Sequence, residues 1–204
     1  MAGEGDKPLR RIAESFEGLA QTASSKTAAM EVAPFSAACS HVSILFGCLG
    51  VAFKFAEMDY VSKVDDLLKA SISISTLHSL LDFDMQNNCV RQGGSHTRNL
   101  LRVKRGLDMV KVLFEEILSS EGNSLKEAAS VAYAKVFAPH HGWAIRKAVA
   151  AGMYVLPSKS QLLKKLNENE TSAKVQMQNY VRASALVISY VEELFISREL
   201  GLDW

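Results

Sequence analysis

Two charged pairs in this chain invite a chemical reading before anything else. Asp59 and Lys63 stand four residues apart, and so do Arg98 and Arg102; on a helix, each pair sits one turn apart on a single face. Followed onward, the first face continues through Leu67, Ala70 and Ile74, and the second passes Gly106 to reach Met109 and Leu113. Taken alone, an Asp four residues before a Lys is an ordinary helix pair worth a few tenths of a kcal/mol. A solvated salt-bridge face, however, would stay polar along its length. Two stripes charged at one end and apolar beyond describe a cleft that is polar at its mouth and greasy at depth, the complement of an amphiphile.

The cations come from a stretch of one sign. Between Asp84 and Asp108 there is no acidic residue, whereas Arg91, Arg98, Arg102, Lys104 and Arg105 all lie there. Lys104 and Arg105 read as a solvated face. A third element is His140-His141-Gly142-Trp143. On a helix starting there, Trp143, Lys147 and Tyr154 fall within about 60° of one face while His141 lies about 200° from Trp143. His141 then turns inward, and an aromatic, basic outer stripe suits a membrane interface.

Helices must position these groups, because apolar residues recur at spacings of three and four and sustained alternation is scarce. Leu9, Ile12, Phe16 and Leu19 form a stripe just after Pro8, a residue suited to a first helical turn. The next helix starts near Pro34 and runs through Val42, Leu45, Phe46, Leu49 and Phe53, and residues 59–81 read as a third long helix. Its Ser71-Ile-Ser-Ile-Ser75 run also alternates with period two, but both flanks are helical. Gly93-Gly94 ends one helix, hydroxyls at Ser95 and Thr97 can cap another that reaches Ser120, and Glu121-Gly122-Asn123 is a turn. Residues 128–136, 141–156 and 171–199 complete an all-α fold of eight or nine helices, with no repeat or linker to divide the single domain expected over 1–204.

Composition excludes several classes. With 23 Lys+Arg against 22 Asp+Glu the net charge is +1, which gives no electrostatic footprint for a nucleic-acid binder. Hydrophobic residues make up 48% of the 204, far from the regime of disorder. Cys39, Cys48 and Cys89 cannot all pair, which favours a reducing, cytoplasmic setting. The N-terminus lacks the apolar run of a signal peptide. Residues 32–53 carry no formal charge and meet the length of a membrane span. Pro34, Ser36, Ser40, His41, Ser43, Gly47 and Gly50 within them favour a buried helix of a soluble bundle.

Several long stretches resemble the glycolipid transfer protein family, and more closely its ceramide-1-phosphate transfer branch: Asp6-Lys-Pro-Leu-Arg10, Phe46-Gly-Cys-Leu-Gly50, Ala52-Phe-Lys-Phe-Ala-Glu-Met-Asp-Tyr60, residues 94–111, Ala138-Pro-His-His-Gly-Trp143 and Leu200-Gly-Leu-Asp-Trp204. The resemblance implies a two-layer all-α sandwich with a lipid chamber between the layers and a headgroup site at its mouth. It implies that Asp59 accepts hydrogen bonds from a ceramide amide and hydroxyl and that His141 donates to the acyl carbonyl. Glycolipid-specific members carry an Asn where this chain has Lys63 and a sugar-stacking Trp where it has Arg102. Two cations in those places make an anion site, and with Arg98 they form a cradle for a phosphomonoester of about −1.5 to −2 charges. Phe46, Leu49, Phe53, Leu107, Val110 and Phe114 are candidate chain-lining residues, with ordinary core packing an equal reading for each.

What this implies is a carrier of ceramide-1-phosphate or a related phosphosphingolipid, with no cofactor, no metal and no nucleic-acid partner. It would act in sphingolipid homeostasis and the regulation of programmed cell death, touching membranes transiently through Trp143, Lys147 and Tyr154. Two rivals stand beside it. A lipid sensor would bind the same lipid and act through protein partners. A phosphoesterase would assemble His140, His141, Asp59 and Asp108, yet the chain has no HxxxH or HExxH spacing, no GxSxG elbow and no Gly-rich phosphate loop.

Overall fold

The computed structural model describes residues 7–25 and 27–204, the side chain of Ala52 excepted. The reading of the N-terminus as no signal peptide, and Asp6 of the first family-like stretch, fall outside the described residues. Within them lie nine α-helices packed as a two-layer sandwich: α1 Pro8–Ala23, α2 Val32–Cys48, α3 Lys54–Ala70, α4 Leu77–Gln86, α5 His96–Ser119, α6 Leu125–Val136, α7 Trp143–Gly152, α8 Lys159–Lys165 and α9 Glu170–Ile196. Short 3-10 turns occupy Val51–Phe53, Ala138–His140 and Met153–Val155.

The helices close a circuit in which α1 packs on α2 and α9, α2 on α3, α3 on α5, and α5 on both α9 and α6. Buried side chains from α1 to α9 form one continuous cluster. α2 contributes Val32, Phe35, Ala38, Cys39, Val42, Leu45 and Phe46 to it, so one face of the uncharged run is core. Among the described residues no helix is long and apolar enough to cross a membrane, and all three cysteines are free thiols.

Two expected helices are each broken in two. α2 stops at Cys48, because Gly50 at φ 101° takes a left-handed conformation that favours glycine, and Phe53 belongs to the following 3-10 turn. The long helix expected over 59–81 is really α3 and α4, separated by residues 71–76. There Val32 N donates to Ser75 O at 2.8 Å and Leu77 N donates to Met30 O at 2.9 Å, around a Glu31–Thr76 antiparallel bridge. The period-two run itself stays in turns, with Ser73 N and Ile74 N both donating to Ala70 O, and the bridge to the distant segment forms just beyond it at Thr76. α8, which the pattern did not reveal, starts with a capping box of Ser158 and Gln161.

α5 carries both arginines, and its start is fixed twice. Ser95 Oγ accepts from Arg98 N at 3.2 Å, and the buried carboxylate of Asp84 accepts from Thr97 N at 2.6 Å. A carboxylate at an N-terminus satisfies an amide that has no intrahelical partner and complements the helix dipole. Asp84→Ala should lower the unfolding free energy by about 2 kcal/mol, measured as a reduced urea midpoint; a midpoint equal to that of the unaltered chain would show that the cap contributes nothing.

Candidate functional site

The five cations of the acid-free stretch have different fates. Arg91 lies over the Trp204 ring, 5.2 Å from its centroid, and donates to Leu200 O at 3.2 Å. Lys104 pairs with Asp108 at 2.6 Å and with Glu192 on α9. Arg105 donates to Leu202 O at 2.8 Å and to Trp204 O at 2.7 Å. Lys104 is only 7% exposed and Arg105 8%, so the solvated face expected of them is wrong. Their aliphatic stems are packed and their charges paired within the fold, as burial requires.

That leaves Arg98 and Arg102 facing α3 across a cavity of about 370 Å³. Ser62, Lys63, Asp66 and Lys69 line it from α3; Gly94, Arg98, Asn99 and Arg102 line it from α5 and its approach. Lys63 Nζ donates to Asp59 Oδ1 at 2.7 Å, and Arg102 Nη1 stands 4.0 Å from Asp59 Oδ2. Among the described residues Arg98 has no ion-pair partner. The structure thus brings together Asp59, Lys63, Arg98 and Arg102, with cations in excess. Such a place attracts an anion with several acceptor oxygens.

His141 sits outside the helix on which it was expected. It follows the 3-10 turn Ala138–His140 and precedes α7, which starts only at Trp143. Its ring stacks on Phe137, with centroids 5.6 Å apart, and its Nδ1 is 2.9 Å from the Tyr133 hydroxyl. Loss of water, then the charges of Arg102 and Arg105, push the imidazole pKa down, while Asp59 pulls it up. The ring therefore lies within electrostatic reach of both sides of the cavity. Burial also raises the Tyr133 pKa, keeping the hydroxyl protonated. When that hydroxyl donates to Nδ1, the neutral imidazole presents Nε2–H as a donor.

Four residues at or beside the site, Asp66, His96, Asn99 and Tyr133, escaped the sequence reading. Asp66 Oδ2 accepts from His96 Nδ1 and from Asn99 Nδ2, both at 2.8 Å, tying α3 to the first turn of α5. A signal existed for Asp66, which follows Lys63 by three residues on the same helical face. Nothing in sequence pairs Tyr133 with His141, because a 3-10 turn separates them.

The expected chain-lining residues do not share one environment. Phe46, Leu49, Leu107, Val110 and Phe114 are buried, and Phe53 is half-buried. Phe46 packs on Tyr60 at 5.1 Å, but Phe114 meets Tyr180 of α9 edge-on at 5.5 Å, and Leu107 O accepts from the Tyr180 hydroxyl at 3.3 Å. Leu49 borders a second cavity of about 610 Å³ together with Gly50, Val155, Leu156 and Pro157. The three expected membrane-contact residues are all exposed, Trp143 by 69% and Tyr154 by 74%. Tyr154 falls in the 3-10 turn after α7, so the helical angle reckoned for it does not apply.

Comparison with known proteins places this geometry in context. The model of the glycolipid transfer protein family matches residues 30–168. Accelerated cell death 11 of Arabidopsis thaliana is 62% identical over 202 residues, which cover 98% of each chain. The ceramide-1-phosphate transfer protein of Danio rerio is 26% identical over 206 residues, covering 94% of this chain and 95% of that one. A crystal structure of a mutant of Arabidopsis accelerated-cell-death 11 complexed with C12 ceramide-1-phosphate superposes with a TM-score of 0.97 at 61% identity, over 98% of this chain and all of that one.

His141 is not alone in its depressed pKa. His41, His78 and His140 are also held below the ordinary value of 6.5, each chiefly by loss of water. A histidine whose folded pKa lies below its unfolded value binds a proton more readily when unfolded. Its contribution to stability is therefore full above 6.5 and falls as pH drops through that value. Thermal melting should accordingly be lower at pH 5.5 than at pH 7.5, and His141→Gln should shrink the difference; an equal or higher melting temperature in acid would contradict this.

Proposed function

The chain belongs to the glycolipid transfer protein family, and on that premise we propose that it carries ceramide-1-phosphate between membranes as a single domain spanning 1–204. The observation that carries the reading is the cavity where Lys63, Arg98 and Arg102 converge beside Asp59, in a chain 61% identical to one crystallised with that lipid. The phosphate takes charge-assisted bonds from the three cations. Asp59 accepts from the ceramide amide, and the neutral His141 donates Nε2–H to the acyl carbonyl.

Transfer makes and breaks no covalent bond, and membership of a transfer-protein family argues against the phosphoesterase alternative. Each CH₂ withdrawn from water is worth about 0.8 kcal/mol, so the two hydrocarbon chains need an apolar chamber in place of the bilayer. Trp143, Lys147 and Tyr154 supply the transient membrane contact, flanked by the exposed Ile145 and Val155. Lys126 Nζ lies 3.5 Å over the Tyr154 ring and Lys147 Nζ lies 6.0 Å over Trp143. Aromatic rings and amines so placed suit the headgroup level of a bilayer. The setting is cytoplasmic, and the role is in sphingolipid homeostasis and programmed cell death.

Mass spectrometry of lipid extracted from the purified protein after exposure to a mixed sphingolipid pool tests the ligand directly; enrichment of unphosphorylated or sugar-bearing ceramides would overturn the assignment. Arg98→Leu and Arg102→Leu should each weaken ceramide-1-phosphate binding by about thirtyfold, corresponding to about 2 kcal/mol, with helical circular dichroism intact. Normal transfer by both variants would remove the cradle. Trp143→Ala should reduce partitioning onto vesicles by about tenfold, or about 1.4 kcal/mol, while detergent-solubilised lipid still binds. Undiminished partitioning would place membrane contact elsewhere.

A further inference from the structure

The cavity spans two helices, so its chemistry depends on the distance between them, and the structure shows what sets that distance. Gly106 lies one turn beyond Arg102 on α5. A Cβ built on it would fall 2.5 Å from Cε2 and 2.7 Å from Cδ2 of Tyr60, the residue next to Asp59 on α3. Real Cβ atoms do not approach so closely, and the ring has little freedom to retreat. It is buried, its hydroxyl donates to Cys39 O on α2 at 3.0 Å, and its face packs on Phe46. Yielding to a methyl group at 106 therefore means moving a helix.

A second fastening lies on the other side of the cavity, where Asp66 accepts from His96 and Asn99. On α5, Arg102, which stands 4.0 Å from Asp59, falls between these two attachments, one steric and one polar. We infer that the contact of Gly106 with Tyr60 is the positioning element that sets the width of the headgroup site, holding Asp59 and Lys63 on α3 in register with Arg98 and Arg102 on α5. The inference rests on the proposed ceramide-1-phosphate site and adds residues that touch no lipid polar group.

A ligand that bridges α3 and α5 is penalised when the helices part, because it can satisfy one side or the other but not both. A ligand held from one side only is not. Ceramide-1-phosphate bridges, with its amide at Asp59 and its phosphate at the arginines; ceramide, without the phosphate, relies on the amide alone. Widening the site should thus erode discrimination between the two lipids, whereas loss of folded protein would lower uptake of both alike.

The test is equilibrium uptake of ceramide-1-phosphate and of ceramide from vesicles by the full chain. Gly106→Ala should keep its helical circular dichroism and lose on the order of tenfold in the ratio of the two affinities, about 1.4 kcal/mol. Combining it with Tyr60→Leu, which removes the ring that the new methyl meets, should restore most of the ratio. A Gly106→Ala protein with the native ratio, or one in which both lipids weaken equally, overturns the inference. So does a double variant no better than the single one. If the unaltered chain itself shows no preference for the phosphorylated lipid, the proposed ligand fails instead, an outcome separate from any effect of Gly106.

Discussion

The packing of α3 against α5 is the constraint on which the rest of the site depends. Neither helix carries a complete binding group. α3 brings Asp59 and Lys63, α5 brings Arg98 and Arg102, and only the interface makes them one set. Pressing cations of two helices together is unfavourable unless other contacts hold the elements in place. Here the compensation is specific. Asp66 ties α3 to His96 and Asn99, Asp59 stands between Lys63 and Arg102, and the Tyr60 ring fills the space that a glycine leaves on α5.

Local charge, rather than net charge, decides what the site attracts. The chain is nearly neutral overall, and three of the five cations in the acid-free stretch are spent inside the fold. Lys104 joins α5 to α9 through Glu192, and Arg91 and Arg105 fasten the segment that ends at Trp204. Burial makes the partnerships of Lys104 and Arg105 obligatory, since an unpaired buried charge is far costlier than an exposed one such as Arg91. What remains at the cavity is a small surplus of positive charge with directional donors. It suits a compact anion better than an extended polyanion.

How much of this was legible in sequence follows from the range of the interactions involved. The pairs at spacing four gave Asp59, Lys63, Arg98 and Arg102 correctly as shared faces, because a helix fixes that geometry locally. α5 was readable to within a residue, from the Gly93-Gly94 stop to the Ser95 cap. Long-range contacts were not readable. The break between α3 and α4 is held by pairing of residues 75–77 with residues 30–32, a contact that nothing local in the sequence signals. Lys104 and Arg105 looked solvated because their partners, Glu192 and residues 202–204, lie about a hundred positions away. His141 was placed on the wrong element because Pro139 starts a 3-10 turn and α7 begins only after Gly142.

The same division explains the character of α7. It has no fully buried residue, although Trp143, Ile145, Val149 and four alanines make it one of the more apolar helices of the chain. A helix of ten residues that meets the core chiefly through the half-buried Val149 gains little from its own backbone, so its surroundings must supply the stabilisation. A bilayer surface is one environment that does so, since Trp and Tyr there keep their rings in the apolar layer and their polar edges wet. Such contact has to be reversible for a carrier, and a chain of net charge +1 is not bound to an anionic membrane by a broad electrostatic field. On the proposed reading, attachment would then rest on a few aromatic side chains and the amines beside them. Lys63 has a corresponding partner in Asp59 of its own helix, so in the proposed site a phosphate would meet an ammonium whose charge is already partly satisfied, which would limit how tightly the headgroup is held and favour its release.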